Sequence, residues 1–368
     1  MAVFLTAGAL LTAFSLIEIV RRGLSDHSLP PENTIALWTM TGTLAAATAV
    51  TVFAAGMLLR AGTKTRRNTA IWLCFLGLAF QLGMAVWPTI SSADNYSNAL
   101  MARAWVVYGR NPYGVSPGDF PSDALYPLTA ALWRETPVIY GPIWMWFSSL
   151  AIRIASDPAL EALLLKILNA LAYFAGGLLL YRLWRKDDAD STAALWFWSA
   201  CPAALLEVAN AGHNEGLLLL FLCITAAGLA KKRPDLALPG ITAAILTKYW
   251  PLILIPSLAA LRGAKREQWR LGACLSVLQL VFLWPFRSAP TLFSPLAGHL
   301  SLDKLYNFSP GYALFRLFLG ADHGWMPRMI FTVLILGAAG WLTVELLRRR
   351  RISAAGGALI MMLSCPYS

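Results

Sequence analysis

An all-α, multi-pass membrane fold is predicted by three features of this sequence. Of its 368 residues 58% are hydrophobic and only 13% charged, against about 25% charged in an ordinary soluble domain. Apolar runs long enough to cross roughly 30 Å of hydrocarbon, which takes about 20 helical residues, recur along the chain. The basic residues gather in short clusters between those runs. Runs this continuous do not alternate as barrel strands do, so helices must do the spanning.

In chain order, the spanning candidates are residues 2–20, 35–59, 69–87, 160–181, 271–286 and 327–347, with shorter or broken runs at 138–155, 193–208, 214–230 and 236–261. The first lacks a basic n-region and a small-residue cleavage site, and is expected to be a spanning helix rather than a removed signal. Five clusters follow: Arg60 to Arg67, Arg182 to Lys186, Lys231 to Arg233, Arg262 to Arg270, and Arg348 to Arg351. The positive-inside rule places all five in the cytoplasm, so the net charge of +11 marks topology rather than a nucleic-acid surface. The N-terminus is then inside, and the 88–137 and 288–326 loops are extracytoplasmic.

Counting crossings assigns two stretches unusual roles. Only one of 138–155 and 160–181 can span, and the shorter, rich in Trp144, Trp146 and Phe147, is expected to lie in the outer interface. The 236–261 stretch has cytoplasmic clusters on both sides and 26 residues, too few to cross twice. It reads as a hairpin of half-helices with Lys248 at its tip, either facing a polar cavity or snorkelling to an interface. The chain is expected to form one membrane domain, residues 1–368, carrying juxtamembrane helices in its first outside loop. It ends in a stretch, Ser353–Ser368, too short to span, and is expected to be incomplete there.

Several signatures are missing. Cys74, Cys201, Cys223, Cys274 and Cys365 are scattered without metal-ligand spacing, and there is no Gly-rich phosphate loop or Ser-His-Asp pattern. A nucleotide-driven pump or soluble-type hydrolase does not fit, and no cofactor or tightly held metal is expected.

Polar residues concentrate in two islands. The first begins with Asp94 at an expected helix start just after Trp87-Pro88, where a carboxylate held at a membrane surface can serve as a base. Asn98 and Arg103 follow one and two turns on and are expected broadly along the same face. Arg103 either contacts phosphate or sugar or binds lipid headgroups. The rival bases, Asp119 and Asp123, sit in a turn-rich segment with no helix to fix them. The second island, NAGHNEG at 210–216, offers His213, Asn214 and Glu215 at a helix N-terminus. Such a site can take a hydroxylated or anionic ligand. Capping would explain Asn214 and Glu215 but not His213.

Four blocks, YGRNPYG at 108–114, WRETPVIYGPIW at 133–144, GHNEGLLLL at 212–220 and TKYWP at 247–251, resemble the integral-membrane glycosyltransferases of the GT-C class. In this order they are most similar to the polyprenol-phosphomannose-dependent mannosyltransferases of the bacterial envelope. The resemblance, covering residues 88 to 320, implies a sugar donor on a polyprenyl phosphate, a glycan or glycolipid acceptor outside the cytoplasmic membrane, and inversion. One departure is Glu215, where the family usually has aspartate. Asp94 resembles the family's base, and Asn307 a position before an interfacial helix.

The chemistry agrees with that resemblance. Glycoside hydrolysis generally uses two carboxylates, but a polyprenyl phosphate leaves as a stable anion, so one base and a cationic site suffice. Lys248 and His213 would supply the positive charge, with Lys248 expected to bind phosphate without supporting the fold. Tyr140 would stack on or hydrogen-bond a sugar ring, or serve only as an interfacial anchor. The competing class is a carrier or flippase for lipid-linked sugars. Such proteins tend to be built from repeated halves, and no matching halves are visible.

Overall fold

The computed structural model describes residues 48–60, 63–89, 92–184, 188–255 and 265–288, with the isolated positions Ala46, Gly337 and Trp341. The runs at 2–20 and 327–347, the 288–326 loop beyond Ser288, Asn307 and Ser353–Ser368 lie outside the described residues.

All regular structure among the described residues is helical, as expected. Helix α1 is Thr48–Arg60, α2 Thr63–Val86, α3 Asp94–Val106, α4 Pro142–Ile154 and α5 Pro158–Trp184. Helix α6 is Asp188–Ala200, α7 Glu215–Ala230, α8 Pro234–Thr247 and α9 Lys265–Leu283. Among the described residues one helix is long and apolar enough to cross a membrane alone, over Pro158–Leu183 of α5. The apolar parts of α1, α2, α7, α8 and α9 are shorter.

Local chemistry explains the boundaries. Proline opens α4, α5 and α8, where its missing N–H would be unpaired anyway and its fixed φ suits the first turn. The Asp157 carboxylate accepts the Leu160 N–H at 2.9 Å, capping the start of α5. Pro202 disfavours helical backbone at Cys201, and α6 ends at Ala200. The apolar run at 193–208 is therefore broken: Pro202–Ala204 leads into one π-helical stretch, Leu205–Asn210, before the chain reaches the second polar island.

The largest core lies where α3, α4, α5, α8 and the end of α9 meet. Trp144, Met145, Tyr113, Leu100, Leu165 and Phe286 are fully buried there. Phe286 packs edge-on to Trp105 and Tyr113, with ring centres 4.7 and 5.1 Å apart. This corrects one expectation. The 138–155 stretch holds a 13-residue helix, α4, too short to span, but Trp144 points into the core rather than toward headgroups. Its indole N–H donates to the Asn98 side chain at 3.2 Å.

The 236–261 stretch breaks at Lys248, the C-cap of α8, before a 3-10 turn over Trp250–Leu254; the rest of the expected hairpin is not described. Residues 256–264 lie outside the described residues. Gly141, at the N-cap of α4, touches this break: its N–H donates to the Thr247 carbonyl at 3.0 Å, and a Cβ would overlap the Leu246 carbonyl. Backbone cannot move aside as a flexible side chain would. Gly141→Ala is expected to lower thermal stability by about 1–3 kcal/mol, the usual range for overpacking, whereas Gly83→Ala, with nothing within 4 Å of the added methyl, should be neutral or slightly stabilising. Equal midpoints for the two variants in detergent would show that the α4–α8 contact is not so tight.

Candidate active site

The first polar island folds as a helix and then a chain of short turns. Asp94 opens α3, where a carboxylate is favoured by the helix dipole, and its own N–H is held by the Ser92 hydroxyl at 3.2 Å. One carboxylate oxygen accepts the Trp133 indole N–H at 2.9 Å. The other lies 3.5 Å from His213 Nε2. The Asp94 side chain stays 17% exposed, at the wall of an open cleft. Asn98, Met101, Trp133, Val138 and Tyr140 line the same cleft.

His213 comes from the second island, delivered by an unusual backbone. After the π-helical stretch, Gly212 takes a φ of 70°, which glycine adopts freely; a side chain there would press on Asn95 and Lys166. The His213 N–H donates to the Glu207 carbonyl at 3.1 Å. Its ring then lies between carboxylates, with Nδ1 3.3 Å from Glu207 and Nε2 3.5 Å from Asp94. Asn169, fully buried on α5, donates to the Val208 and His213 carbonyls and accepts the Leu217 N–H.

The other members of the island do not cap the helix in the expected way. Asn214 stands at the N-cap of α7 without a side-chain cap bond. It is buried, and among the described residues neither of its amide atoms has a hydrogen-bond partner. Glu215 accepts from Lys248 Nζ at 2.5 Å. Both are almost fully buried, and the Lys248 ammonium also lies 5.7 Å from the centre of the Tyr140 ring. Burial, then the Asp94 and Glu215 carboxylates, keep the Tyr140 hydroxyl protonated far above its ordinary range. Tyr140 thus joins the Asp94 cleft to the Lys248–Glu215 pair.

Two expectations are corrected. Arg103 does not share a face with Asp94: nine residues are two and a half turns at 3.6 residues each, so the side chains point to opposite sides. Its guanidinium instead bonds Asp123 and Glu161, each at 2.7 Å. Nor are the rival carboxylates loosely held. Asp119 closes a capping box with Ser116. Asp123 accepts from Arg103, from the Tyr108 hydroxyl at 2.7 Å and from the Leu125 N–H at 2.8 Å. Burial pushes the Asp123 carboxyl up, but these donors outweigh it and hold the group below the ordinary aspartate value. Its oxygens are committed to structure.

Trp133, Glu207 and Asn169 were not singled out from sequence. Trp133 lies inside a quoted block, and Glu207 and Asn169 interrupt apolar runs, which is the available signal for a polar group kept at membrane depth.

Among the described residues the scaffold is helical, and Asp94, His213 and the buried Lys248 come to it from separate segments, with Tyr140 between the Asp94 cleft and Lys248. The family model described as alpha-(1->6)-mannopyranosyltransferase, N-terminal domain, matches residues 3–264 and includes all four blocks. The chain belongs to that family, which bears out the mannosyltransferase resemblance. It is 28% identical over 224 residues to a probable alpha-(1->6)-mannopyranosyltransferase of Mycolicibacterium smegmatis, covering 60% of this chain and 37% of that protein. It is 27% identical over 165 residues to an alpha-(1->6)-mannopyranosyltransferase of Mycobacterium tuberculosis, covering 43% of this chain and 27% of that protein. The chain thus spans little more than a third of the length of the first of these relatives and less of the second. No solved structure matches.

The Lys248–Glu215 pair argues against the expectation that Lys248 stands apart from the fold. Breaking a buried pair by removing one partner costs about 3–5 kcal/mol, so Lys248→Met alone should lower the unfolding midpoint clearly. Lys248→Met combined with Glu215→Gln should recover much of that loss. Additive losses in this cycle would mean that the two groups are not energetically coupled.

Proposed function

We propose that this chain transfers mannose from a polyprenyl-phosphate donor to a glycan or glycolipid acceptor at the outer face of the cytoplasmic membrane, with inversion. The family assignment supports mannosyl transfer, and the donor class follows from the resemblance of the sequence blocks. In this reading the chain is one multi-pass membrane domain among membrane lipids, with the 88–137 and 288–326 loops extracytoplasmic. Asn307 would then join the site from the second loop.

The observation that carries the reading is the position of Asp94. It lines an open cleft with one oxygen held by Trp133, while Asp119 and Asp123 are engaged elsewhere. Asp94 takes the proton from the attacking acceptor hydroxyl, whose oxygen bonds to the anomeric carbon. The bond from that carbon to the phosphate oxygen breaks, and its electron pair leaves on the polyprenyl phosphate. Lys248 draws the phosphate toward the Tyr140 side of the cleft, and Glu215 yields part of the ammonium's hydrogen-bonding capacity to it. Tyr140, His213 and Asn214 supply donors and acceptors for the sugar hydroxyls. Arg103 acts from behind α3, bracing the turns that carry Trp133 by way of Asp123, rather than touching substrate.

Asp94→Asn keeps the shape but cannot accept the proton. Turnover should fall by about 10²–10⁴-fold, the usual cost of losing a general base, with binding of the lipid donor retained. The assay is transfer of radiolabelled mannose from a polyprenyl-phosphate donor by purified protein of full natural length. Asp119→Asn should keep most activity. Near-normal turnover in Asp94→Asn, with activity lost in Asp119→Asn or in folded Asp123→Asn, would move the base elsewhere in the loop.

A further inference from the structure

We infer that Glu207 completes a proton relay, holding His213 in the tautomer that takes the proton from Asp94 after each transfer and then accepting that proton from the ring. The inference rests on Asp94 being the base. It is drawn from an arrangement that base catalysis alone does not require: the His213 imidazole lies between two carboxylates, 3.5 Å from Asp94 through Nε2 and 3.3 Å from Glu207 through Nδ1.

Three features support a relay. The backbone is built to hold it: Glu207 lies in the π-helical stretch Leu205–Asn210, a rare conformation found disproportionately at functional sites. The His213 N–H to Glu207 carbonyl bond then locks the two residues at a fixed separation. Exposure follows the expected direction of travel. The side chains are 17% exposed at Asp94, 7% at His213 and 26% at Glu207, so the proton passes through a sheltered ring to the most open of the three groups. The ring is also uncommitted. Among the described residues neither nitrogen makes a directed hydrogen bond in the resting geometry, as is common for catalytic contacts that tighten only with substrate bound.

The proton balance is simple. Transfer leaves Asp94 protonated. As the 3.3 Å contact closes, Glu207 accepts a hydrogen bond from Nδ1–H, which fixes that tautomer and leaves the Nε2 lone pair facing Asp94, as a second carboxylate commonly orients a functional imidazole. The Asp94 O–H bond breaks as an Nε2–H bond forms; the Nδ1–H bond then breaks as a proton bonds to Glu207, which releases it to water. A tautomer exchange in the ring, or the reverse proton order, returns His213 to its starting form. The other charged groups near His213 are Glu215 with its partner Lys248 on α7 and α8, and Lys166 on α5, whose stem adjoins Gly212. Lys166 Nζ donates to the Trp87 carbonyl at 2.8 Å and Glu215 is paired, so Asp94 and Glu207 are the carboxylates that address the ring nitrogens directly.

The test is Glu207→Gln in the protein of full natural length, with two readouts. In the transfer assay, steady-state kcat should fall at least about tenfold, short of the roughly 10²–10⁴-fold cost of losing the base itself. The donor KM, thermal midpoint and single-turnover rate should stay near those of the parent, because only the resetting of Asp94 is slowed. Glu207→Asp should restore much of the loss. An unchanged kcat, or single-turnover and steady-state rates falling together, would overturn the inference. The second readout needs no activity: in protein labelled with ¹⁵N-histidine, the His213 ring should show Nδ1–H in the parent and lose that preference in Glu207→Gln. If the parent transfers no mannose, the proposed function fails. The tautomer spectrum still decides whether Glu207 sets the ring, and an unaltered spectrum refutes it.

Discussion

The site depends on one buried amide. Asn169 projects from the middle of α5, the longest apolar helix described, and its side chain bonds three backbone groups of the segment that carries His213. A polar side chain in such a place is unfavourable unless satisfied, and these bonds both satisfy it and join the end of the π-helical stretch to the start of α7. The chain between Val208 and Leu217 is thereby fixed against α5. Gly212 can then turn through positive φ, and His213 is set between Glu207 and Asp94.

Charge neutralisation accounts for the rest of the arrangement. Isolated charges are costly in an apolar interior, and several acidic groups near the cleft are paired with cations: Glu215 with Lys248, and Asp123 and Glu161 jointly with Arg103. Asp94 differs. It has a neutral indole N–H on one oxygen, a histidine at long range on the other, and open space beside it. A carboxylate left beside an open cleft without a cation holding it has the character a general base requires.

Part of this was legible in the sequence, and the failures have physical causes. The helical character, the break at Lys248 and the place of Asp94 at the start of a helix all follow from polar residues interrupting apolar runs, which hydropathy reveals directly. The phase of Arg103 was misjudged because whole turns were counted where nine residues make a half-integral number. Trp144 was read as interfacial because tryptophan is common in headgroup regions, and nothing local distinguishes that use from burial beneath Asn98. The Lys248–Glu215 pair joins residues 33 apart in sequence, and the Glu207–His213 pairing depends on a π-helical turn that no helical periodicity anticipates. Neither was accessible without the fold.

In the proposed mechanism Asp94 and Lys248 act on opposite sides of the anomeric carbon, one on the attacking hydroxyl and the other on the leaving phosphate. The most direct measurement is a structure of the full natural-length protein with a polyprenyl-phosphate mannose analogue bound. The phosphate is expected beside Lys248 and Tyr140, with Asp94 on the face of the anomeric carbon opposite the leaving oxygen. A donor whose phosphate lies away from Lys248, or whose anomeric carbon turns its leaving-group face toward Asp94, would contradict it.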